Sequence, residues 1–474
     1  MSMIDQRPNI VFLFADDQRF DTLRALGNTD IQTPHLDNLL EHGTVFRQAH
    51  IPGGTVGAVC MPSRAMLHTG RTLFHIHDDG RSIPEEHVLM GETFRQAGYA
   101  TFGIGKWHNG AASFNRSFSD GENIFFGGME DHWNVPAYHY HADGNYSGSI
   151  PVIRDRMLSN EVEYRPADKV QAGVHSTDLF SDTAVNWIRQ HKEEEPFFLY
   201  VSYMAPHDPR SMPKKYMDLY DPEQLKLPDN AASEHAFDYG IRGIRDEQLA
   251  AYPRTEEEIR RHLAEYYAMI THLDDRIGDI IHALKETDLF DHTIIIFTGD
   301  NGLAVGQHGL MGKQSCYEHS VRVPLIFSGP GIPKGQQRDE FVYLSDIYPT
   351  LCELTQVPIP SSVEGACLAP LFSRVGAIPD RDRLYFAYAD LVRAVKSREY
   401  KLIVYHHNSQ LFRLSEDPLE RYNLIGDPAF SHMEQVLMKE LLEHSYRSGD
   451  REHPAGQQFW SHIDRHTQGA DEQL

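Results

Sequence analysis

Short apolar runs that end abruptly in polar residues punctuate this chain, and they share one design. Residues 9–15 read Asn-Ile-Val-Phe-Leu-Phe-Ala and run into Asp16-Asp17, while residues 293–299 read Thr-Ile-Ile-Ile-Phe-Thr-Gly and run into Asp300-Asn301. Runs that are apolar at consecutive rather than alternate positions predict strands covered on both faces, as in a parallel sheet. Residues 99–104, leading into Gly105-Lys106-Trp107-His108, and residues 197–203, leading into Met204-Ala205-Pro206-His207, have the same form, and residues 323–327 add one more buried strand. Residues 259–287 place apolar side chains at helical spacing just before the Thr293 run, as a βα unit requires. The expectation is an α/β fold with a large, mostly parallel central sheet flanked by helices.

From about residue 380 the pattern changes to short strands at 384–389, 392–397, 400–405 and 410–414, then a helix near 429–446. This predicts a smaller C-terminal antiparallel sheet with one helix, dividing the chain into a catalytic α/β domain at 1–375 and an α+β subdomain at 376–474. Residues 109–172 have no strong period and are rich in His, Asn, Tyr and Gly. Long loops of this kind commonly carry function, and these side chains would suit a sugar or simply cover the domain. No internal repeat or low-complexity segment is present.

Composition narrows the class. With 44 basic against 68 acidic residues the net charge is −24, which argues against nucleic acid and against an anionic membrane surface as partners. No stretch approaches the roughly 20 apolar residues of a membrane span. Residues 8–15 are too short for a signal segment, so the chain as given is expected to be cytoplasmic, or periplasmic or secreted if a signal peptide has been removed. The four cysteines, Cys60, Cys316, Cys352 and Cys367, show neither a disulfide framework nor paired metal spacing.

Cys60 stands out by its surroundings. It follows the glycine-rich Pro52-Gly53-Gly54-Thr55-Val56-Gly57 and precedes Met61-Pro62-Ser63-Arg64. Pro62 suits the first turn of a helix and Gly70 its end, which puts residue 60 at a helix N-terminus, where free N–H groups favour an anion. A structural cysteine before an ordinary helix would also fit these residues alone. The pairs Asp16-Asp17 and Asp300-Asn301 fall at the carboxyl ends of predicted parallel strands, where open α/β sheets bind ligands. Three carboxylates and an amide oxygen there would suit Ca²⁺, or Mg²⁺, although a strand-end turn accounts for either pair taken singly.

The Cys60-Met61-Pro62-Ser63-Arg64 run resembles the core signature of the type I, formylglycine-dependent sulfatases of the alkaline phosphatase-like superfamily. A chance Cys-x-Pro-Ser-Arg match in a chain of this length has a frequency on the order of 10⁻³. The resemblance extends over nearly the whole chain, through Lys106-Trp107-His108, Pro206-His207, Gly306 to Lys313, and Leu411 to Pro418 with Asn423-Leu424. It implies that Cys60 is converted to Cα-formylglycine by a formylglycine-generating enzyme, and that Asp16, Asp17, Asp300, Asn301 and residue 60 ligate Ca²⁺. It further implies a carbohydrate or other organic sulfate monoester as substrate and a covalent sulfo-enzyme intermediate. In that scheme Arg64, Lys106 and Lys313 offset sulfate charge, His207 protonates the leaving alkoxide, and His108 deprotonates the second hydroxyl of the hydrate.

Other readings stay in view. A phosphonate monoester hydrolase or phosphodiesterase of the same superfamily would use the same nucleophile, though other residue types tend to replace Lys106 and His108 there. An inactive sulfated-glycan-binding relative would lose ligands or the nucleophile. The chain departs from the family pattern at Tyr317-Glu318-His319-Ser320, where Tyr-Glu-Gly-Gly is usual, and His308 has no assigned role. The sequence does not give the oligomeric state.

Overall fold

In the computed structural model, which describes residues 7–155, 157–191, 195–372 and 381–471, the apolar runs form the middle of one eight-stranded sheet. In chain order its strands are β1 (Asn9–Ala15), β2 (Gly43–Phe46), β3 (Ala100–Lys106), β4 (Asp120–Phe125), β5 (Phe197–Ser202), β6 (Thr293–Gly299), β7 (Leu325–Ser328) and β8 (Gln336–Arg338). Across the sheet they run β8-β2-β7-β6-β1-β5-β3-β4. The block β6-β1-β5-β3-β4 is parallel throughout, and β7 runs antiparallel to both of its neighbours.

The reason for consecutive apolar residues is plain in β1. Ile10, Phe12 and Phe14 face one layer with Leu67, Phe94, Trp107 and Tyr348. Val11, Leu13 and Ala15 face the other with Leu179, Phe180, Leu273 and Ile277. Each such buried side chain contributes about 1.5–3 kcal/mol relative to exposure. The second layer comes from the helices Ser176–Gln190 and Glu256–Glu286. The longer helix starts where the Thr255 hydroxyl accepts the Glu258 N–H, with three glutamates in its first turn against the positive end of the dipole.

Downstream, Leu384–Tyr388, Val392–Lys396, Tyr400–Tyr405 and Ser409–Arg413 pair antiparallel as expected. Two features differ from the sequence reading. A fifth strand, Gly53–Gly54, comes from the N-terminal part of the chain and pairs parallel with Leu384–Tyr388. Gly53 has φ 99°, and a Cβ there would lie 2.0 Å from the Ala387 carbonyl oxygen, so the close approach requires glycine. A second helix, Pro454–Asp471, follows Ser431–Arg447; Phe459 and Trp460 pack with Leu437 and Leu441, a pair too brief to register as a period. The expected boundary at 375/376 falls within residues 373–380, outside the described residues.

The 109–172 region is also more regular than expected. It holds a helix, Ala111–Ser117, strand β4, and a hairpin of Ser149–Val152 with Glu163–Pro166. Phe126, Tyr138 and Tyr146 pack on one another, and His139 and His141 pair with Glu122 and Asp168. These aromatics therefore cover the sheet edge. Among the described residues no helix is long and apolar enough to cross a membrane.

Candidate active site

Strand register brings the polar ends together. Ala15 pairs with Gly299, so Asp16 and Asp300 leave adjacent strands at one level, and the Asp300 N–H donates to the Ala15 carbonyl at 3.1 Å. Ser202 of β5 lies beside both Phe14 and Gly105, which places Lys106 at the same edge. The helix Cys60–Thr69, buried along its whole length, points its N-terminus at these residues and ends at Gly70, φ 65°. Ser63 Oγ donates to the Asp300 carbonyl at 2.5 Å, and Asn109 Nδ2 donates to the carbonyls of Met61 at 3.0 Å and Gly80 at 2.7 Å.

All ten residues singled out in the sequence converge here. Cys60, only 3% exposed, has its Sγ 3.5 Å from His108 Nδ1 and 3.8 Å from Lys106 Nζ. Lys106 Nζ donates to Asp16 Oδ2 at 2.5 Å, and Lys313 Nζ to Asp17 Oδ1 at 2.6 Å. Asn301 Nδ2 donates to the same Asp17 Oδ1 at 2.7 Å, and the Asp17 N–H to Asp300 Oδ1 at 3.0 Å. His207 Nε2 lies 3.7 Å from Asp17 Oδ2, with its Nδ1 donating to the Asp208 carbonyl at 2.7 Å.

Arg64 is placed differently from the sequence expectation. Its Nε donates to Asp300 Oδ2 at 2.9 Å, its Nη1 to Ser202 Oγ at 2.7 Å and the Lys106 carbonyl at 3.2 Å, and its Nη2 lies 3.7 Å from Asp16 Oδ1. The guanidinium is fully buried over the Phe14 ring, so it fixes the carboxylates from beneath. Ser202, which helps hold it, carried no signal in the sequence. His308 packs its ring on Tyr317 at 3.9 Å and meets Asn230 Nδ2 at 3.3 Å, a structural position.

Electrostatics follow from burial. Burial pushes the Asp300 carboxyl up, with adjacent Asp16 adding to it, whereas Asp16 is held below the usual range because Lys106, His207 and Arg64 outweigh its own desolvation. Burial raises the Cys60 thiol, with Lys106 and Lys313 pulling against it. Burial, then Lys106 and Arg64, lower His108 to about 2, which keeps its imidazole neutral. Burial opposes the charge on Lys313, yet Asp17 holds its pKa well above the ordinary lysine value.

The donor set fits a hard dication. Asp16 Oδ1 and Asn301 Oδ1 are buried oxygens without a hydrogen-bond partner, and ligand atoms of Asp16, Cys60 and Asp300 lie within 4.8 Å of one another. Orphaned buried oxygens are what a cation would satisfy. Three carboxylates, Asp16, Asp17 and Asp300, meet three cationic side chains, Arg64, Lys106 and Lys313. An added dication would leave the site positive and ready for an anion. Cys316 and Cys352 are buried, Cys367 is half-buried, and all are free thiols.

Comparison with known proteins agrees with this geometry. Residues 8–357 match the sulfatase family model, and residues 306–447 match the model described as N-sulphoglucosamine sulphohydrolase, C-terminal. An arylsulfatase of Clostridium perfringens is 30% identical, the alignment covering 94% of this chain and 97% of that protein. A structure solved in complex with its substrate D-glucosamine-2-N,6-O-disulfate superposes with TM-score 0.70 at 21% identity, over 94% of this chain and 99% of that one. The phosphonate monoester hydrolase of Agrobacterium radiobacter gives TM-score 0.73 at 22% identity, over 93% and 96%. At such identities these two structures speak for the fold. The family match spans most of the chain and the Clostridium relative nearly all of it, so the chain belongs to the sulfatase family and is a sulfuric ester hydrolase.

Proposed function

We propose that this sulfatase hydrolyses a carbohydrate sulfate monoester with Cys60 converted to formylglycine and Ca²⁺ held by Asp16, Asp17, Asp300, Asn301 and residue 60. The observation that carries it is the position of Cys60 Sγ, at the head of a buried helix and 3.5 Å and 3.8 Å from His108 Nδ1 and Lys106 Nζ. When bound, the cation would polarise a sulfate oxygen, and the hydrated aldehyde would supply two hydroxyls, one to attack sulfur and one to release sulfate.

The chain's own residues supply the rest. Lys106 and Lys313, almost wholly buried, orient the sulfate group and offset charge on its non-bridging oxygens where water does not screen them. With Nδ1 donating to the Asp208 carbonyl, His207 would act as the acid in its doubly protonated form, giving the Nε2 proton to the bridging oxygen as the S–O bond breaks and the alcohol leaves. His108 is kept neutral by burial and its cationic neighbours, the form needed to accept a proton from residue 60. Arg64 holds Asp300 and Asp16 in place.

The sugar-sulfate preference draws on the glucosamine disulfate bound in the similar structure and on the sulphoglucosamine model matched by residues 306–447. A panel of sulfated saccharides, nitrophenyl sulfate and a phenylphosphonate monoester tests the reading. Sulfate release from a saccharide at the highest kcat/KM supports it. Preference for the phosphonate moves the enzyme to the phosphonate hydrolase reading.

A further inference from the structure

His132 lies in the 109–172 region, outside every signature motif in the sequence, yet it is fully buried behind His207. Its Nε2 meets the His207 carbonyl oxygen at 2.9 Å and its Nδ1 meets Ser176 Oγ at 2.7 Å. Since a carbonyl can only accept, Nε2 carries the hydrogen, and the Ser176 hydroxyl donates to Nδ1. The Ser176 N–H donates in turn to the His132 carbonyl at 2.7 Å, so ring and backbone are both tied to the start of the Ser176–Gln190 helix. Burial lowers the His132 pKa to about 4, consistent with one neutral tautomer.

The His207 ring takes its direction from this backbone. Its Nδ1 donates to the Asp208 carbonyl, its N–H to the Met204 carbonyl at 3.0 Å, and the Asp208 carboxylate pairs with Arg245. The His207 carbonyl adds a further tie to this backbone, and His132 holds it. Behind His132 the rings of His175, His272 and Tyr216 pack in turn, with centroids 5.0, 4.8 and 4.4 Å apart, the first and last pairs stacked and the middle pair tilted. His175, Asp178 and His272 lie close enough to suggest a metal site, but His175 already bonds the Thr177 N–H and the Ser211 carbonyl with its two nitrogens. His175, held by both of its nitrogens, therefore packs against His132 as a structural neighbour.

We propose that His132 is a positioning residue for the reaction: by donating to the His207 carbonyl it aims His207 Nε2 at the leaving oxygen. This rests on His207 being the leaving-group acid. Its signature is selective loss on substrates that need protonation, because a misaimed acid still leaves attack on sulfur intact.

The test compares kcat/KM for an alkyl or sugar sulfate with that for nitrophenyl sulfate in His132→Ala, His132→Gln, Ser176→Ala and His207→Ala. His132→Ala is expected to lower the sugar-to-nitrophenyl ratio by at least about tenfold while the nitrophenyl rate changes by less than about threefold. His132→Gln, whose amide can donate to the same carbonyl, should recover most of the ratio. Ser176→Ala, which frees the tautomer, should lower it by a smaller factor and serves if His132→Ala fails to fold. Equal loss on both substrates, or an unchanged ratio in His132→Ala and Ser176→Ala, overturns the proposal. If His207→Ala shows the selective loss and the His132 and Ser176 variants do not, only the positioning role falls. If His207→Ala itself loses both equally, the acid assignment falls and takes this inference with it.

Discussion

Arg64 Nε donates to Asp300 Oδ2 at 2.9 Å while Arg64 Nη2 lies 3.7 Å from Asp16 Oδ1, so one buried guanidinium spans the two carboxylates that adjacent strands deliver. Removing it would leave Asp300 beside Asp16 without its neutralising partner. Breaking a buried pair in this way typically destabilises by about 3–5 kcal/mol. Arg64→Ala is expected to lose stability on that scale in urea unfolding, and Arg64→Lys, which cannot form the fork, to retain the fold with much reduced activity.

The orphaned Asp16 Oδ1 and Asn301 Oδ1 predict a response to cation. Chelation should abolish turnover and lower Tm, and restoring Ca²⁺ at about 100 times its Kd should return about 2.7 kcal/mol of stability. Asn301→Ala should weaken that Ca²⁺-dependent rise in Tm. Calorimetry with and without Ca²⁺ reads both effects, and a Tm indifferent to Ca²⁺ would contradict the site.

These relationships show what the sequence could and could not carry. The strands delivering Asp16, Lys106, His207 and Asp300 announce themselves because a layer on each face demands consecutive apolar residues. Their register, Ala15 against Gly299 and Ser202 against Gly105, is long-range and has no local mark, so convergence is legible only as the general rule that ligands bind at the carboxyl ends of parallel strands, together with the family resemblance. Arg64 was expected on sulfate because its charge is visible in sequence and its burial is not. His132 was hidden among many histidines in a stretch whose short helix and hairpin leave no period. The Gly53–Gly54 strand was missed because two residues cannot show alternation, although Gly53 itself was an available signal.

Glu318, just before the departure from the family pattern at His319-Ser320, ties the short helix Glu318–Val321 to the C-terminal antiparallel sheet. Its carboxylate meets Lys396 Nζ at 2.7 Å and Lys401 Nζ at 3.1 Å, and Lys401 also meets Glu420 at 2.8 Å. Burial works against its charge, but Lys396 and Lys401 hold the Glu318 pKa well below the ordinary value. Glu318→Gln leaves buried lysines short of charge and should cost about 3–5 kcal/mol in thermal or urea unfolding.

Asp274 predicts a pH dependence remote from the active site. Burial raises its pKa to about 7, against the pull of the Leu36 and His35 N–H groups that it accepts. Between pH 4 and 7 the unfolded chain has lost this proton and the folded chain keeps it, so its contribution falls as pH rises through that window. The loss is about 1.4 kcal/mol per pH unit at most. In Asp274→Asn the stability curve should be flatter over that window than in the parent protein; unchanged slopes would contradict the shift.

The central claim is that residue 60 is an aldehyde in the active enzyme. Mass spectrometry of the tryptic peptide Gln48–Arg64, on protein made with a formylglycine-generating enzyme, tests it when paired with sulfate release from the same preparation. The account predicts an aldehyde mass in a fraction that tracks specific activity, and a folded Cys60→Ala protein with turnover at background. Full sulfatase activity from protein whose peptide carries only unmodified cysteine would contradict it.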